Sequence, residues 1–121
     1  MGKGFEELKV WQKAKDLAVL IYKVTADGKI SKDFGLRDQI RRSAVSIASN
    51  IAEGDERETD KESVRFFYIA KGSLAELRTQ LMIALETSYL GKDEFARIEQ
   101  DCLEIGKMLG GIIKHRRGDR S

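Results

Sequence analysis

The chain lacks residue types on which several classes of protein depend. Its 121 residues include no proline, one cysteine and one histidine. The absence of proline favours long helices joined by short connections. A single cysteine, Cys102, excludes an intramolecular disulfide. With His115 as the sole histidine, too few ligands remain for a structural zinc site or a di-iron site. We therefore expect no bound metal and no cofactor.

Long apolar runs and an excess of one charge are also missing. No stretch approaches the ~20 apolar residues that span a bilayer, and the first residues have no apolar signal core. We therefore expect a cytoplasmic protein without membrane contact. Lys and Arg total 22 against 20 Asp and Glu, a formal net charge of +2. Dedicated nucleic-acid binders are usually more basic, so any such contact must use local patches.

Helical periodicity is what the sequence has in abundance. Apolar residues recur at three- and four-residue steps. They predict helices at about 6–25, 33–53, 60–90 and 93–115, followed by a basic tail at 116–121. Short loops force consecutive helices to be antiparallel neighbours. The predicted fold class is therefore all-α, one antiparallel up-down-up-down four-helix bundle over residues 1–121.

The third and fourth predicted helices have strict heptad seams. In the third the seam is Phe67, Ala70, Leu74, Leu77, Leu81, Ala84 and Ser88, and in the fourth it is Phe95, Ile98, Cys102, Ile105, Leu109 and Ile112. Heptad spacing predicts helix crossing angles near 20°. Thr59 and Glu62 predict a capping box. Gly28 is predicted to be a left-handed turn residue, and Gly54 and Gly91 are predicted to end helices.

The second predicted helix has a polar stripe beside its apolar one. The stripe has 4-3-4-3 spacing and consists of Gln39, Ser43, Ser46, Asn50 and Glu53. The other flank holds the small or apolar residues Val45, Ala48 and Ala52. Small side chains let another backbone approach, and hydroxyls and amides can hydrogen-bond across the contact. Two interpretations stay open, a solvated face and a close contact with another helix or subunit.

The third predicted helix has a second apolar strip that includes Phe66, Ile69 and Ile83. Gly72 and Ser73 lie inside it, and an interior glycine costs up to ~1 kcal/mol relative to alanine, so it usually marks a close crossing. The strip indicates either a second partner surface or a wide core-facing band. The candidate subunit contacts on this helix are Phe66, Ile69, Gly72, Ser73 and Glu76.

No catalytic constellation is present in the sequence. Cys102 lies in a heptad seam, where free cysteine packs as a small hydrophobe. No histidine is placed to activate it or a serine. Glu53 and Glu76 interrupt small or apolar neighbourhoods, and the favoured interpretation is ion pairing with basic residues of the second and third helices. We therefore predict no catalytic residue, no small-molecule substrate and no enzyme activity.

Basic residues supply the candidate nucleic-acid contacts. They are Arg37, Arg41, Arg42, Lys71, Arg78, Lys114, Arg116, Arg117 and, in the tail, Arg120. Phosphate binding needs clustered cations, and Tyr68 beside Lys71 and Arg78 would add an aromatic face for unpaired bases. In one subunit the simpler explanation is a solvated face with local salt bridges. In an oligomer the same patch is repeated, which raises avidity without new contacts.

Three segments resemble a known family. They are residues 5–14, 34–54 and 67–77, which read FEELKVWQKA, FGLRDQIRRSAVSIASNIAEG and FYIAKGSLAEL. In this order they resemble the bacterial four-helix-bundle proteins encoded in intervening sequences of 23S ribosomal RNA genes, the 23S rRNA intervening-sequence proteins. The resemblance covers nearly the whole chain. It implies a left-handed bundle that assembles as a ring-shaped homopentamer.

The accessory proteins of diversity-generating retroelements are similar to this family in fold and pentameric state, and bind nucleic acid through a basic surface. The present sequence departs from that pattern, since it has no proline before the second helix and is less basic. The resemblance therefore implies a non-enzymatic homo-oligomer, a pentamer, with RNA or DNA contact as a candidate role. The alternative is an adaptor or scaffold for a protein partner that binds no nucleic acid.

Overall fold

The structure, a computed structural model, describes residues 4–118. Its elements are a 3-10 helix Gly4–Glu7, α1 Lys9–Val24, a 3-10 helix Lys29–Lys32, α2 Phe34–Asp55, α3 Asp60–Glu86 and α4 Lys92–Arg117. Short connections make consecutive helices antiparallel neighbours, and α4 packs back against α1. These residues form helices and no strand, so the predicted all-α four-helix bundle is confirmed.

The predicted apolar stripes form the core of the bundle. The buried residues of α1 and α2 include Ala14, Leu17, Ile21, Ile40, Ala44, Ile47 and Ile51, and those of α3 and α4 include Phe67, Ala70, Leu74, Leu77, Leu81, Ala84, Ile98, Cys102, Ile105 and Leu109. Truncating one fully buried Leu or Ile to alanine costs about 2–5 kcal/mol, so this layer dominates the stability of the fold. The seam of α4 shifts at its end, where Ile113 is buried and Ile112 only partly so.

The chain enters α1 later than the sequence predicts. Residues 4–7 form a 3-10 turn in which the Leu8 amide donates to the carbonyl of Phe5. Leu8 is extended and precedes the first residue of α1, Lys9. The Phe5 ring meets Trp11 edge to face at 5.0 Å. This aromatic contact lies where the turn packs on the start of α1, and the helix begins at residue 9 and not near residue 6.

The end of α3 also differs from the prediction. The helix ends at Glu86, and Ser88 has a positive φ of 64°. The amides of Tyr89 and Leu90 both donate to the carbonyl of Ala84, at 2.8 and 3.2 Å. This turn closes the helix four residues before the predicted end. The prediction that Ser88 continues the heptad seam is therefore wrong, because its side chain is exposed.

Local capping and turn chemistry position the other helix ends. The Thr59 hydroxyl oxygen accepts from the Glu62 amide at 3.2 Å, as expected at the start of α3. An Asp33 carboxylate oxygen accepts from the Leu36 amide at 3.1 Å and caps α2 in the same way. Gly28 has a φ of 75°, in agreement with the predicted left-handed turn. Gly91 precedes α4 and does not end α3.

Gly54 has a role that differs from the predicted one. It lies inside α2, which continues to Asp55, so it does not end the helix. A Cβ atom at this position would lie 2.6 Å from Cε1 of the Phe67 ring. The Ser63 hydroxyl also donates to the Gly54 carbonyl at 2.6 Å. Gly54 is therefore required for the close approach of α2 and α3.

The predicted basic tail begins later than expected. Helix α4 extends through Arg117, and Gly118, with a φ of 75°, ends it in the left-handed conformation. Basic side chains in the last turn favour this extension, because they interact with the negative end of the helix dipole. Residues 119–121, which include the candidate contact Arg120, lie outside the described residues.

Candidate assembly and nucleic-acid surfaces

The centre of the polar stripe of α2 faces α3 of the same chain. Ser43 and Ser73 are buried there. The Ser46 and Ser73 hydroxyl oxygens lie 2.8 Å apart in a hydrogen bond. Asn50 Nδ2 donates to the carbonyl and the hydroxyl oxygen of Ser46, at 2.9 and 3.0 Å. Ser46, Asn50 and Ser73 therefore satisfy one another at a close contact between two helices of the same chain.

The two ends of the stripe face outward. Gln39 and Glu53 are exposed. Glu53 pairs with Arg57 one turn further along the chain. This pairing within one helix end differs from the predicted pairing across a contact. Phe66 is half-buried, and the guanidinium groups of Arg57 and Arg65 lie over its ring at 4.6 and 5.2 Å.

An exposed strip follows the outer side of α3, next to α2. We define the α3 strip as Ile69, Gly72, Glu76 and Ile83. Ile69 is 43% exposed and Ile83 is 47% exposed. A Cβ atom on Gly72 would meet nothing within 4 Å. Glu76 is exposed and forms no ion pair with another residue in the range 4–118, unlike the predicted pairing. The strip therefore combines apolar side chains and one carboxylate without any covering element of its own chain.

An apolar groove of about 550 Å³ lies between α1 and α2. We call it the α1–α2 groove, and its lining is Phe5, Trp11, Lys15, Ala18, Val19, Tyr22, Val45, Ala48, Ser49 and Ala52. Tyr22 is 47% exposed and Val45 is 41% exposed. Sequence reasoning did not identify this groove as a site. The available signal was Val19, Tyr22 and Val45, apolar residues that lie outside the core stripes.

The arginines at the start of α2 hold that helix to the preceding segment. Arg41 Nε donates to the Thr25 hydroxyl at 2.8 Å, and its guanidinium lies 4.6 Å from the Tyr22 ring centroid. Arg37 pairs with Asp38 and donates to the Ser31 carbonyl at 3.1 Å. Both cations therefore have local structural contacts.

Arg42 is exposed and forms no ion pair with another residue among those described. It therefore differs from Arg37 and Arg41, whose contacts hold the helix in place.

Arg78 links α3 to α4. Its Nε and Nη2 donate to the two carboxylate oxygens of Glu99, at 3.0 and 2.9 Å. This hydrogen bond raises the pKa of Arg78. The sequence predicts that Arg78 shares a surface with Tyr68 and Lys71. In the structure its guanidinium forms a bidentate ion pair with Glu99.

Several cationic side chains lie around the Tyr68 ring. Lys71 Nζ lies 5.9 Å from the ring centroid, and Arg117 Nη1 donates to the tyrosine hydroxyl at 3.2 Å. Lys61 lines the same surface. We name Tyr68, Lys71, Lys61 and Arg117 the Tyr68 cluster. Tyr68 is 48% exposed, so its aromatic face lies at the surface beside several positive charges and the Asp60 carboxylate.

The other cations at the end of α4 are placed differently. Arg116 pairs with Asp55 of α2 at 2.8 Å, and its guanidinium lies 5.4 Å from the Phe67 ring centroid. It therefore fastens the end of α4 to α2. Lys114 is exposed in the last turn of α4.

The single cysteine of the chain is enclosed in the core of the bundle. Cys102 is fully buried, and burial, followed by the nearby Glu99 carboxylate, raises the pKa of its thiol to about 12. The thiol therefore stays protonated at neutral pH.

Residues 4–118 contain no group of three or more His, Cys, Asp or Glu that could hold a metal ion. Over the same residues, no helix has the length and apolar character needed to cross a membrane.

Comparisons with known proteins identify a family and a similar solved structure. The model of the 23S rRNA-intervening sequence protein family matches residues 6–111. A similar crystal structure is that of a protein with unknown function from the S23 ribosomal protein family, from Bacteroides thetaiotaomicron VPI-5482. The two sequences are 30% identical. The match covers 87% of this chain and 98% of that one, with a TM-score of 0.79. No curated protein matches the chain.

Proposed function

The chain belongs to the 23S rRNA-intervening sequence protein family, and from this premise we propose that it works as a homo-oligomeric helical bundle, a pentamer, and not as an enzyme. The observation that carries the proposal is the apolar surface left uncovered in one chain. The exposed side chains include Val19, Tyr22 and Val45 on the groove and Ile69 and Ile83 on the α3 strip. Grouped exposed apolar residues commonly mark interaction surfaces.

The assembled form would present the Tyr68 cluster to RNA or DNA. Tyr68 offers a ring on which an unpaired base can stack, while Lys71 and Arg117 supply positive charge beside it. One such cluster is a weak site because the net charge of the chain is only +2. An oligomer carries one Tyr68 cluster per chain, so a single RNA or DNA molecule could contact several clusters at once.

The assembly is tested by measuring the mass of the purified protein by light scattering. We expect about five times the 13.7 kDa of one chain at micromolar concentration. Assembly should also weaken on dilution, because its free energy depends on protomer concentration. A mass of one chain throughout the micromolar range would reject the proposal.

Nucleic-acid contact is tested by gel retardation at low salt with a structured RNA and a single-stranded DNA. Binding should weaken as salt rises, since phosphate contacts release counterions. The variant Tyr68→Ala with Lys71→Ala should reduce binding at least tenfold, because stacking contributes about 1–3 kcal/mol per base. Lys107→Ala is the control, since Lys107 is exposed on α4 and does not line the surface around Tyr68.

A parallel variant examines the cations of α2 that the sequence selected. Arg41→Ala with Arg42→Ala should weaken binding less than loss of the Tyr68 cluster, because Arg41 is engaged with Thr25 and Tyr22. The absence of any retardation of either nucleic acid at low salt would reject this role.

A second candidate function is a protein adaptor that docks its partner on the α3 strip. The favouring observation is that Ile69 and Ile83 are about half exposed on one side of α3. Purification from the native host would then recover a different protein in constant ratio to this chain. Loss of that protein on Ile69→Lys with Ile83→Lys, without change in the self-assembled mass, would favour the adaptor.

A further inference from the structure

We infer that two faces of this chain fit each other in neighbouring copies, with the α1–α2 groove of one copy receiving the α3 strip of the next. This inference rests on the proposed self-assembly and specifies its interface. The groove is concave and apolar, and its lining exposes almost no polar surface. The α3 strip lies on a single helix, which is the shape that a groove between two helices accepts.

Charge complementarity is the first argument for this pairing. Among the described residues, Lys15 is the one charged side chain in the lining of the groove. On α3, Glu76 is the one charged side chain in the shallow surface that it shares with Gly72 and Ile83. One cation therefore lies in one apolar face, and one anion lies in the other. Opposite charges at matched positions select a register and exclude wrong partners.

The positions of the two charges along their helices agree. Glu76 is seven residues from Ile69 and seven from Ile83, so it lies midway between the exposed isoleucines. Lys15 lies within α1 between the groove-lining residues Trp11 and Tyr22. With 1.5 Å of rise per residue, both charges fall in the middle part of an apolar surface roughly 16–21 Å long.

Both charged groups are available for a new partner. Glu76 forms no ion pair with any residue in the described range. Lys15 pairs with its sequence neighbour Asp16 at 2.8 Å, and both side chains of that pair are well exposed. Such exposed pairs contribute little, so exchange of Asp16 for a partner carboxylate is easy.

Gly72 provides the second argument. Glycine inside a helix lowers helix stability relative to alanine but leaves the helix backbone uncovered by a side chain. Within its own chain nothing approaches the position that a Cβ atom would occupy, unlike at Gly54. Ala75 and Thr79 line the same surface and are also small. A second backbone can therefore approach α3 closely here, as it would on entering the groove.

The relative position of the two faces favours a closed ring. Because the groove and the strip are different surfaces, each copy uses both, and the contact is head-to-tail. The groove lies between α1 and α2, whereas the strip shares its surface with Gln39 of α2. The two faces therefore lie on neighbouring sides of the bundle and not on opposite sides. Successive copies then turn around an axis, whereas opposite faces would extend a straight filament.

Charge reversal with rescue tests the pairing. Lys15→Glu alone and Glu76→Lys alone should each raise the dissociation constant of the assembly at least tenfold, since like charges would meet at the interface. The double variant restores opposite charges and should return the dissociation constant to within about threefold of the parent. Lys107→Glu is the matched control, since Lys107 is exposed on α4 outside both faces. Circular dichroism establishes that each variant keeps its helices.

The outcomes separate this inference from the proposed assembly. A parent chain that is monomeric rejects both. A parent that assembles while both single reversals keep its mass overturns the pairing alone. Failure of the double variant to recover, with helices intact, also overturns it. Weakening by both single changes and recovery by the double change supports direct contact between position 15 of one copy and position 76 of another.

Cross-linking provides an independent test of the head-to-tail arrangement. With a short bismaleimide, Lys15→Cys together with Glu76→Cys in one chain should produce a covalent ladder of oligomers. Each single-cysteine variant should produce no ladder, because position 15 faces position 76 and not another position 15. The native Cys102 does not interfere because it is buried. An assembled double variant that forms no ladder would contradict the arrangement.

Discussion

The two flanks of α2 have side chains of similar size and opposite surroundings. On the flank toward α3, Ser46 and Asn50 are held by hydrogen bonds that include the Ser73 hydroxyl. On the flank toward α1, Val45 and Ala48 line an open apolar groove. The difference shows that small residues alone do not distinguish a closed contact from an open one. A hydrogen-bonding partner on the neighbouring helix is what closes the first flank.

The largest expected effect on the free energy of unfolding comes from adding a side chain to the closely packed contact between α2 and α3. Gly54→Ala should lower the free energy of unfolding by about 1–3 kcal/mol, because the new Cβ meets a buried ring and a backbone oxygen. Gly110→Ala is the control in α4, where the Cβ meets nothing within 4 Å. It should stabilise the chain by about 0.5–1 kcal/mol through helix propensity. Urea unfolding measures both, and equal effects would show that the flank is not tightly closed.

A second test measures how the buried thiol of Cys102 affects the pH dependence of the free energy of unfolding. The Cys102 thiol has a pKa of about 12 in the folded chain against an ordinary value of 9.0. Its contribution to stability is therefore complete below pH 9.0 and declines as pH rises towards about 12, since the unfolded thiol ionises first. The free energy of unfolding should fall by about 1.4 kcal/mol more between about pH 8 and about pH 10 than in Cys102→Val. Identical pH dependence of the two chains would show that the thiol is not protected.

A smaller effect on the free energy of unfolding is expected from the hydrogen bond between the Ser46 and Ser73 hydroxyls. Ser46→Ala and Ser73→Ala should each lower the free energy of unfolding by about 0.5–1.5 kcal/mol, because each removes a hydrogen bond. The double variant should lose less than the sum of the two. Ser49→Ala, on the exposed side of the same helix, corrects for helix propensity. Strict additivity would indicate that the two hydroxyls do not interact.

The smallest effect on folding is expected on the open flank. Val45→Lys should change the free energy of unfolding of the single chain by no more than about 0.5 kcal/mol, since Val45 is 41% exposed. The measurement requires a concentration at which the parent is monomeric. At higher concentration the same variant should reduce the assembled mass, which light scattering records. A large loss of folding stability in the monomer would mean that the groove is part of the core.

Periodicity explains why the core could be predicted. Residues such as Ile47 and Leu77 recur at heptad steps, and this spacing determines which face of a helix is buried. Thr59 was predicted for a similar reason, since capping depends on residues within one turn. Features that depend on residues close together in the sequence can therefore be predicted from the sequence alone.

Features that depend on distant neighbours were not predicted. A glycine that ends a helix and one that admits an aromatic ring look alike in sequence, so the role of Gly54 depends on Phe67. The ion pair of Arg78 with Glu99 joins residues of different helices that lie 21 positions apart in the sequence. The groove was missed because Phe5 reaches Trp11 only through the turn before α1.

The hydroxyl pair between α2 and α3 also determines the axial register of these helices. A heptad seam repeats every seven residues, so sliding one helix by about 10 Å along another again places apolar side chains together. Such a slide would separate Ser46 from Ser73 and leave the buried Ser73 hydroxyl opposite hydrocarbon. It would also remove the Phe67 ring from the space that Gly54 leaves open. Two polar atoms and one missing methyl group thus select one alignment out of a nearly repeating series.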